Sequence, residues 1–248
     1  MRIRSSVSVL ALALALAAVA ANAQQVAKPA ADREIEKRVR SEIADRDIPG
    51  VKVSSTDGVV TLAGEVPSLS MKNEAAERAR KVRGVKEVIN NLSVAAGGSD
   101  QQVAQQVAER LIRYPQYTVF DNVDVHVKDG VVTLMGYVTM PFKSKEMAEL
   151  AKKVNGVAEV HNKIEELPVS QVDDEIRYVL ANRLYSDPMF SNYSMQANPP
   201  IHIVVKNGRV TLHGYVLSDV EKAKAGFIAR GVFGVMDVDN RIQVERSR

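Results

Sequence analysis

Two of the four histidines are placed where they could act together. His202 and His213 lie at equal distances on either side of Asn207-Gly208, and an Asn-Gly pair between apolar runs is a strong signal for a two-residue hairpin turn. The two imidazoles would then face each other across paired strands, close enough to share a metal ion or to respond to pH. No third ligand is visible, so we favour two solvated imidazoles; the metal-binding pair is the weaker alternative, and no cofactor is expected.

Other kinds of site chemistry are missing from the sequence. The chain has no Cys, which excludes disulfide scaffolds, thiolate metal sites and cysteine nucleophiles. It also contains no serine elbow, no phosphate-binding loop, no dinucleotide fingerprint and no spacing of carboxylates that singles out a catalytic pair. We therefore expect a protein that is not an enzyme.

A run of basic residues forms a second candidate site, for the surface of an anionic phospholipid membrane. Each such charge near a membrane contributes about 1 kcal/mol at low salt. Glu74 and Glu77 interrupt the run, and a solvated helix face with cations near its C-terminus is the more ordinary interpretation. The candidates for lipid contact are Arg78, Lys81, Arg83 and Lys86.

Large apolar side chains form a third candidate, for contact with a partner. Met135, Tyr137 and Tyr215 should project from the face of a sheet that carries no helices, where polar residues are usual, so we expect them to be buried against a neighbouring unit or a partner. Further aromatic clusters are expected to cap the cores of their units, with contact to a lipid or partner as the alternative: Tyr114, Tyr117 and Phe120, then Met189, Phe190 and Tyr193.

The elements that position these residues come from a threefold internal repeat. The first copy contains Asp57-Gly58-Val-Val-Thr-Leu-Ala-Gly64, and a Gly-Val-x-x-Val-x-Asn motif begins at Gly84. Both motifs return twice, and the turn glycine always precedes the glycine of the second motif by 26 residues. The motif glycines are Gly58, Gly64 and Gly84, then Gly130, Gly136 and Gly156, then Gly208, Gly214 and Gly234.

Each copy predicts the same local structure. The Asp-Gly or Asn-Gly turn joins two alternating strands, and a helical apolar pattern stands on each side of the hairpin. The last glycine suits the left-handed position after a helix, before a third strand. We predict an α+β fold of three α-β-β-α-β modules, each with two helices on one face of a three-stranded mixed sheet. The expected hairpin partners are Val53 with Leu62, Val125 with Leu134 and Ile203 with Leu212.

The repeats divide the chain into units at residues 32–94, 100–167 and 171–248. Residues 95–99 contain Gly97-Gly98-Ser99 and predict a flexible linker, whereas Leu167-Pro168 predicts a stiffer connection between the second and third units. Unit 1 has no aromatic residue. At this size each unit alone would be marginally stable, and we expect unit 1 to melt first.

The N-terminal segment resembles an export signal. Arg2 and Arg4 precede an apolar run that ends in Ala21-Asn22-Ala23, a small-x-small pattern that predicts cleavage after Ala23. Residues 1–23 would then be removed, leaving a periplasmic chain without a transmembrane segment. The whole chain has 33 Lys and Arg against 30 Asp and Glu, and loss of the signal leaves a net charge of +1. So balanced a charge argues against a nucleic-acid partner.

The two motifs together closely resemble the BON domain, a module of the bacterial envelope, and the resemblance covers nearly all of the chain after the signal. It implies a periplasmic protein of the osmotic or envelope-stress response that binds phospholipid or envelope proteins. The alternative that it implies is a chaperone-like protein that binds unfolded exported polypeptides. No catalytic residue belongs to the family motif, so the resemblance transfers none.

Overall fold

The computed structural model describes residues 29–245. The predicted signal peptide and the last three residues lie outside the described part. The described chain forms three α+β units with the same order of elements. Within residues 29–245, no helix is both long enough and apolar enough to cross a bilayer.

Unit 1 has the order predicted from the repeat. Its elements are α1 (Ala30–Ala44), β1 (Val51–Thr56), β2 (Val59–Val66), α2 (Leu69–Lys81) and β3 (Glu87–Val94). Strand β2 lies in the centre of the sheet, antiparallel to β1 and parallel to β3. The parallel pairing arises because α2 carries the chain back to the start of the sheet before β3 begins.

Unit 2 repeats this arrangement. Its elements are α3 (Asp100–Ile112), β4 (Asn122–Lys128), β5 (Val131–Val138), α4 (Pro141–Lys152) and β6 (Glu159–Glu166). Strand β5 is central, antiparallel to β4 and parallel to β6.

Unit 3 adds two short helices before its hairpin and divides its last strand. Its elements are α5 (Gln171–Tyr185), a 3₁₀ turn (Pro188–Phe190), α6 (Ser191–Ser194), β7 (Ile201–Lys206), β8 (Arg209–Val216), α7 (Asp219–Arg230), β9 (Asp237–Asn240) and β10 (Gln243–Val244). The added segment closes the core, because Phe190 and Tyr193 are buried in it. This confirms the prediction of core capping for these two residues.

The hairpin turns confirm the predicted geometry. Asp57 and Gly58 both have positive φ, 53° and 82°, and the other two turns repeat this, as a type I′ turn requires. All three predicted strand partners are paired: Val53 with Leu62, Val125 with Leu134 and Ile203 with Leu212.

One acidic side chain at the start of each unit fixes its turn. The carboxylate of Asp32 accepts hydrogen bonds from the main-chain N–H groups of Asp57 and Gly58, at 3.0 Å each. Asp100 and Asp173 do the same for the turns of units 2 and 3. These contacts do not follow from the repeat pattern, because the number of residues between the acid and its turn differs in every unit.

The three cores are separate and follow the predicted helical spacing. The first helix of unit 1 buries Ile35, Val39 and Ile43 against the sheet. The second helices bury small residues, such as Ala148 and Ala151 in unit 2. These small residues allow each second helix to lie close to its sheet.

Candidate functional site

The loop that follows the second helix has the same backbone in all three units and different side chains. We call it the post-helix loop; it spans residues 82–86 in unit 1, 154–158 in unit 2 and 232–236 in unit 3. Its last residue donates its main-chain N–H to the turn glycine of the same unit, as Lys86 does to Gly58 at 2.9 Å. Each loop therefore lies beside its own hairpin turn, and its side chains decide what it can contact.

The predicted lipid-contact residues lie in and just before the post-helix loop of unit 1, and the structure divides them. The guanidinium of Arg78 is 3.6 Å from Glu74 and 3.8 Å from Glu42, so its charge is partly compensated. Lys81, Arg83 and Lys86 are exposed and take part in none of the ion pairs formed within residues 29–245. Three uncompensated cations within six residues form a local basic surface on a nearly neutral chain.

The post-helix loop of unit 2 is covered by unit 1. Gly156 donates its main-chain N–H to the carbonyl oxygen of Pro67 at 2.9 Å, and Leu69 donates to Val157 at 3.0 Å. Gly97 lies directly against the same loop, where an added Cβ would be 2.2 Å from the carbonyl oxygen of Asn155. Units 1 and 2 thus meet through main-chain groups, and the predicted linker is part of the contact.

The post-helix loop of unit 3 carries exposed apolar side chains. Phe233 is 99% exposed and Met236 is 81% exposed, at the positions that Arg83 and Lys86 occupy in unit 1. Exposed aromatic and thioether side chains of this size are unusual on a solvated surface.

The predicted partner-contact residues lie on the side where unit 2 meets unit 3. The Nζ of Lys206 is 4.9 Å from the centre of the Tyr137 ring and 2.9 Å from the carboxylate of Glu165, so Tyr137 is in contact with unit 3. Met135 and Tyr215 keep more than a third of their surface exposed. Tyr215 also lines a small cleft of about 270 Å³ between the two units.

The two histidines are paired as predicted, but His202 is buried and His213 is half-buried. His202 is opposite His213 in the hairpin of unit 3. His202 is buried because unit 2 covers it: its Nδ1 is 2.7 Å from the carbonyl oxygen of Asp121, and its ring centre is 5.3 Å from that of Tyr117. The expectation of two solvated imidazoles was therefore wrong, since it considered the hairpin without its neighbouring unit.

Burial changes the protonation of both imidazoles. Loss of solvent lowers the pKa of His202, against the opposing effect of the bond to Asp121. Loss of solvent also lowers the pKa of His213, whose Nε2 is buried and has no hydrogen-bond partner within residues 29–245. Residues 29–245 contain no group of three or more His, Asp or Glu side chains that could hold a metal ion. The pair is thus placed to respond to pH.

Beside the histidines lies a buried polar network that sequence reasoning missed. The carboxylate of Asp121 is fully buried and accepts hydrogen bonds from the Nζ of Lys143 at 2.7 Å and from the main-chain N–H groups of Thr118 and Thr139, each at 2.8 Å. Three donors from separate segments compensate one buried charge. The carbonyl of the same Asp121 accepts from His202, so the network supports the contact with unit 3.

A groove of about 510 Å³ runs along the other side of this joint. Phe120 of unit 2 packs edge-on against Tyr178 of unit 3, with ring centres 5.3 Å apart. Met140 and Phe142 contribute half-exposed side chains to its wall. The groove is apolar and open, and it is formed only when both units are present.

Comparison with known proteins finds a family that matches most of the described part and relatives that match more than half of the chain. The BON domain family matches residues 31–96, 99–168 and 173–246. The chain is 28% identical over 155 residues to Osmotically-inducible protein Y of Escherichia coli. The matched region covers 58% of this chain and 77% of that protein. It is 29% identical over 142 residues to the Outer membrane lipoprotein DolP of Haemophilus influenzae, over 55% of this chain and 72% of that protein.

Solved structures also show similarity. The C-terminal domain of CdsD, a structural protein of the type III secretion system of Chlamydia trachomatis, is 18% identical, with a TM-score of 0.25 over 84% of this chain and 96% of that chain. The periplasmic domain of PrgH from S. typhimurium is 15% identical, with a TM-score of 0.20 over 79% of this chain and 99% of that chain. Since the three family matches cover most of its length, the chain belongs to the BON domain family, with three tandem copies.

Proposed function

We propose that this protein is a non-enzymatic periplasmic protein of the osmotic or envelope-stress response that binds anionic phospholipid surfaces. The names of its relatives, an osmotically inducible protein and an outer membrane lipoprotein, support the setting. The observation that carries the lipid contact is the basic surface of unit 1, formed by Lys81, Arg83 and Lys86.

The physical argument rests on local charge. With a net charge near +1 for the mature chain, long-range attraction to an anionic membrane is weak, and binding must come from a patch. These three cations form no ion pair within residues 29–245, so none of those ion pairs is lost when they approach lipid phosphates. At about 1 kcal/mol each, they would supply roughly 3 kcal/mol at low salt.

The test is co-sedimentation of the mature chain with vesicles of phosphatidylglycerol and phosphatidylethanolamine, compared with phosphatidylcholine alone. We expect binding to the anionic vesicles at low salt, and the variant Lys81→Gln/Arg83→Gln/Lys86→Gln should reduce the partition coefficient about a hundredfold. Unchanged binding by this variant would exclude the basic surface as the contact.

A matched control removes three charges elsewhere in unit 1. Arg33, Lys37 and Lys52 are exposed and free of the ion pairs described above, and they are not grouped in one loop. The variant Arg33→Gln/Lys37→Gln/Lys52→Gln has the same net charge as the test variant. It should retain most of the binding if the position of the charges, and not their number, is what matters.

A second candidate function is binding of unfolded exported polypeptides. The apolar groove between units 2 and 3, with the half-exposed Met140 and Phe142 on its wall, favours it. Suppressed aggregation of an unfolded client, lost in Phe142→Glu and kept in the unit 1 variant, would support this function. Vesicle binding without any such protection would leave the lipid function as the better explanation.

A further inference from the structure

The contact between units 1 and 2 shows how one unit of this protein can dock on another. Residues 67–69, which lead into the first residue of α2, lie against the post-helix loop of unit 2. We call them the pre-helix loop; its equivalent in unit 3 is residues 217–219. Two main-chain hydrogen bonds join them, from Gly156 to the carbonyl of Pro67 and from Leu69 to the carbonyl of Val157. Helices α2 and α4 also contact each other.

Unit 3 has the main-chain groups of both halves of this contact. By alignment of the repeats, Leu217 and Asp219 stand where unit 1 has Pro67 and Leu69, and Gly234 and Val235 stand where unit 2 has Gly156 and Val157. Both acceptors and both N–H donors are therefore present in unit 3. Unit 2 differs, because the residue equivalent to Leu69 is Pro141, which has no N–H.

The side chains around these groups in unit 3 are apolar and exposed. Leu217 precedes α7, Val220 and Phe227 lie seven residues apart on one face of α7, and Phe233 and Met236 follow it. All are more than half exposed. A surface with this many large apolar side chains normally has a partner. We call these five residues the apolar surface of unit 3.

The placement of the two loops adds a direction to the contact. The pre-helix loop stands at the start of α7 and the post-helix loop follows its end, about 18 Å away for a helix of 12 residues. A second α7 running antiparallel would place the pre-helix loop of each copy beside the post-helix loop of the other, so both loop contacts would form at once.

We propose that the apolar surface of unit 3 binds the same surface of a second copy of this chain, in a two-fold symmetric dimer with antiparallel α7 helices. Each pre-helix loop docks on the post-helix loop of the other copy, as unit 1 docks on unit 2 within the chain. Such an isologous contact closes on itself and gives a dimer, not a filament. The inference goes beyond the proposed function, and the basic surface of unit 1 takes no part in it.

The first test is sedimentation equilibrium of the mature chain over a range of concentrations. We expect a monomer–dimer equilibrium that Phe233→Glu weakens by about tenfold or more, since each dimer would bury two such charges. The control is Met195→Glu, which places the same charge on a side chain that is 85% exposed in unit 3 outside this surface; it should dimerise like the parent chain. Thermal melts followed by circular dichroism establish that both variants are folded.

Asp219→Pro provides a second, gentler variant. It removes one main-chain donor at a position where unit 2 already has a proline, so the helix should still form, and it should weaken the dimer. A chain that stays monomeric at every concentration would overturn the proposal, as would a dimer that Phe233→Glu leaves unchanged. If Phe233→Glu instead reduces vesicle binding by a monomer, the surface contacts membrane and the proposal is wrong.

Cysteine cross-linking tests the direction of the helices, because the chain has no cysteine of its own. In the antiparallel dimer, residue 217 of one copy lies near residue 233 of the other. A mixture of Leu217→Cys and Phe233→Cys chains should therefore form a mixed disulfide on oxidation, while each chain alone should not. Cross-linking of each chain with itself, without the mixed product, would contradict the proposed symmetry.

Discussion

Units 1 and 2 meet in a different way from units 2 and 3, although all three units have the same fold. The first joint uses main-chain groups of two loops, with Pro67 and Gly156 bonded directly. The second depends mainly on side chains, beside one main-chain hydrogen bond: His202 of unit 3 is covered by Tyr117 and bonds to the carbonyl of Asp121. A main-chain joint can be reused by any unit that keeps the backbone groups, whereas a side-chain joint is specific to its two units.

This difference arises from the segments inserted before the hairpins of units 2 and 3. In unit 2 the insertion provides Tyr117, Phe120 and Asp121, of which Phe120 packs against the core of unit 3. Val119 also accepts a main-chain hydrogen bond from Ile203, at 2.6 Å. Unit 1 lacks such a segment, so it contacts unit 2 through its loops and helix α2.

The largest expected effect concerns the buried carboxylate at the side-chain joint. Asp121→Ala leaves the buried ammonium of Lys143 without its counter-charge, so we expect a loss of about 3–5 kcal/mol in the free energy of unfolding. Urea denaturation followed by tyrosine fluorescence measures it, because every tyrosine lies in unit 2 or 3. Glu146→Ala, which removes an exposed carboxylate on α4, should change stability little. Equal losses in the two variants would contradict the importance of the network.

A smaller effect is expected at the main-chain joint. Gly97→Ala places a Cβ 2.2 Å from the carbonyl oxygen of Asn155, so the linker must move away from unit 2, at a cost of about 1–3 kcal/mol. Hydrogen exchange should become faster at Leu69 and Gly156, whose N–H groups bond across the joint, while the cores stay protected. Ala96→Ser, which adds one atom at an exposed neighbouring residue, is the control. Unchanged exchange in Gly97→Ala would instead support the flexible linker predicted from the sequence.

The features that sequence predicted well are local to one unit. The positive φ values at Asp57 and Gly58 follow from turn chemistry, and the pairing of Val53 with Leu62 follows from that turn and the alternation of the strands. The same reasoning placed His202 opposite His213 correctly. It failed on their solvation because burial at a joint depends on which surface of unit 2 arrives there, and nothing in the third repeat encodes this.

The candidate sites show the same limit. The exposure of Lys81, Arg83 and Lys86 could be expected from their position at and after the end of a helix. The ion pair that Arg78 forms with Glu42, however, joins two helices whose packing the sequence does not specify. The network around Asp121 depends on Lys143, which lies 22 positions further along the chain. In the sequence, the network is indicated only by the acidic residue Asp121 next to the aromatic residues of the inserted segment.

The smallest expected effect is a pH dependence that belongs to the side-chain joint alone. Burial lowers the pKa of both His202 and His213 below the usual 6.5, so the folded chain binds fewer protons than the unfolded chain near and below that pH. Stability should therefore be complete above pH 6.5 and fall as the pH drops below it. Acidification adds charge at His202, which Asp121 and Tyr117 cover, and it should loosen this joint while leaving the main-chain joint unchanged. The measurement is the free energy of unfolding at pH 7.5 and 5.5: His202→Asn should reduce the difference between the two values, and His126→Asn, at an exposed histidine, should not. If the parent chain is equally stable at both pH values, the two imidazoles do not control the joint.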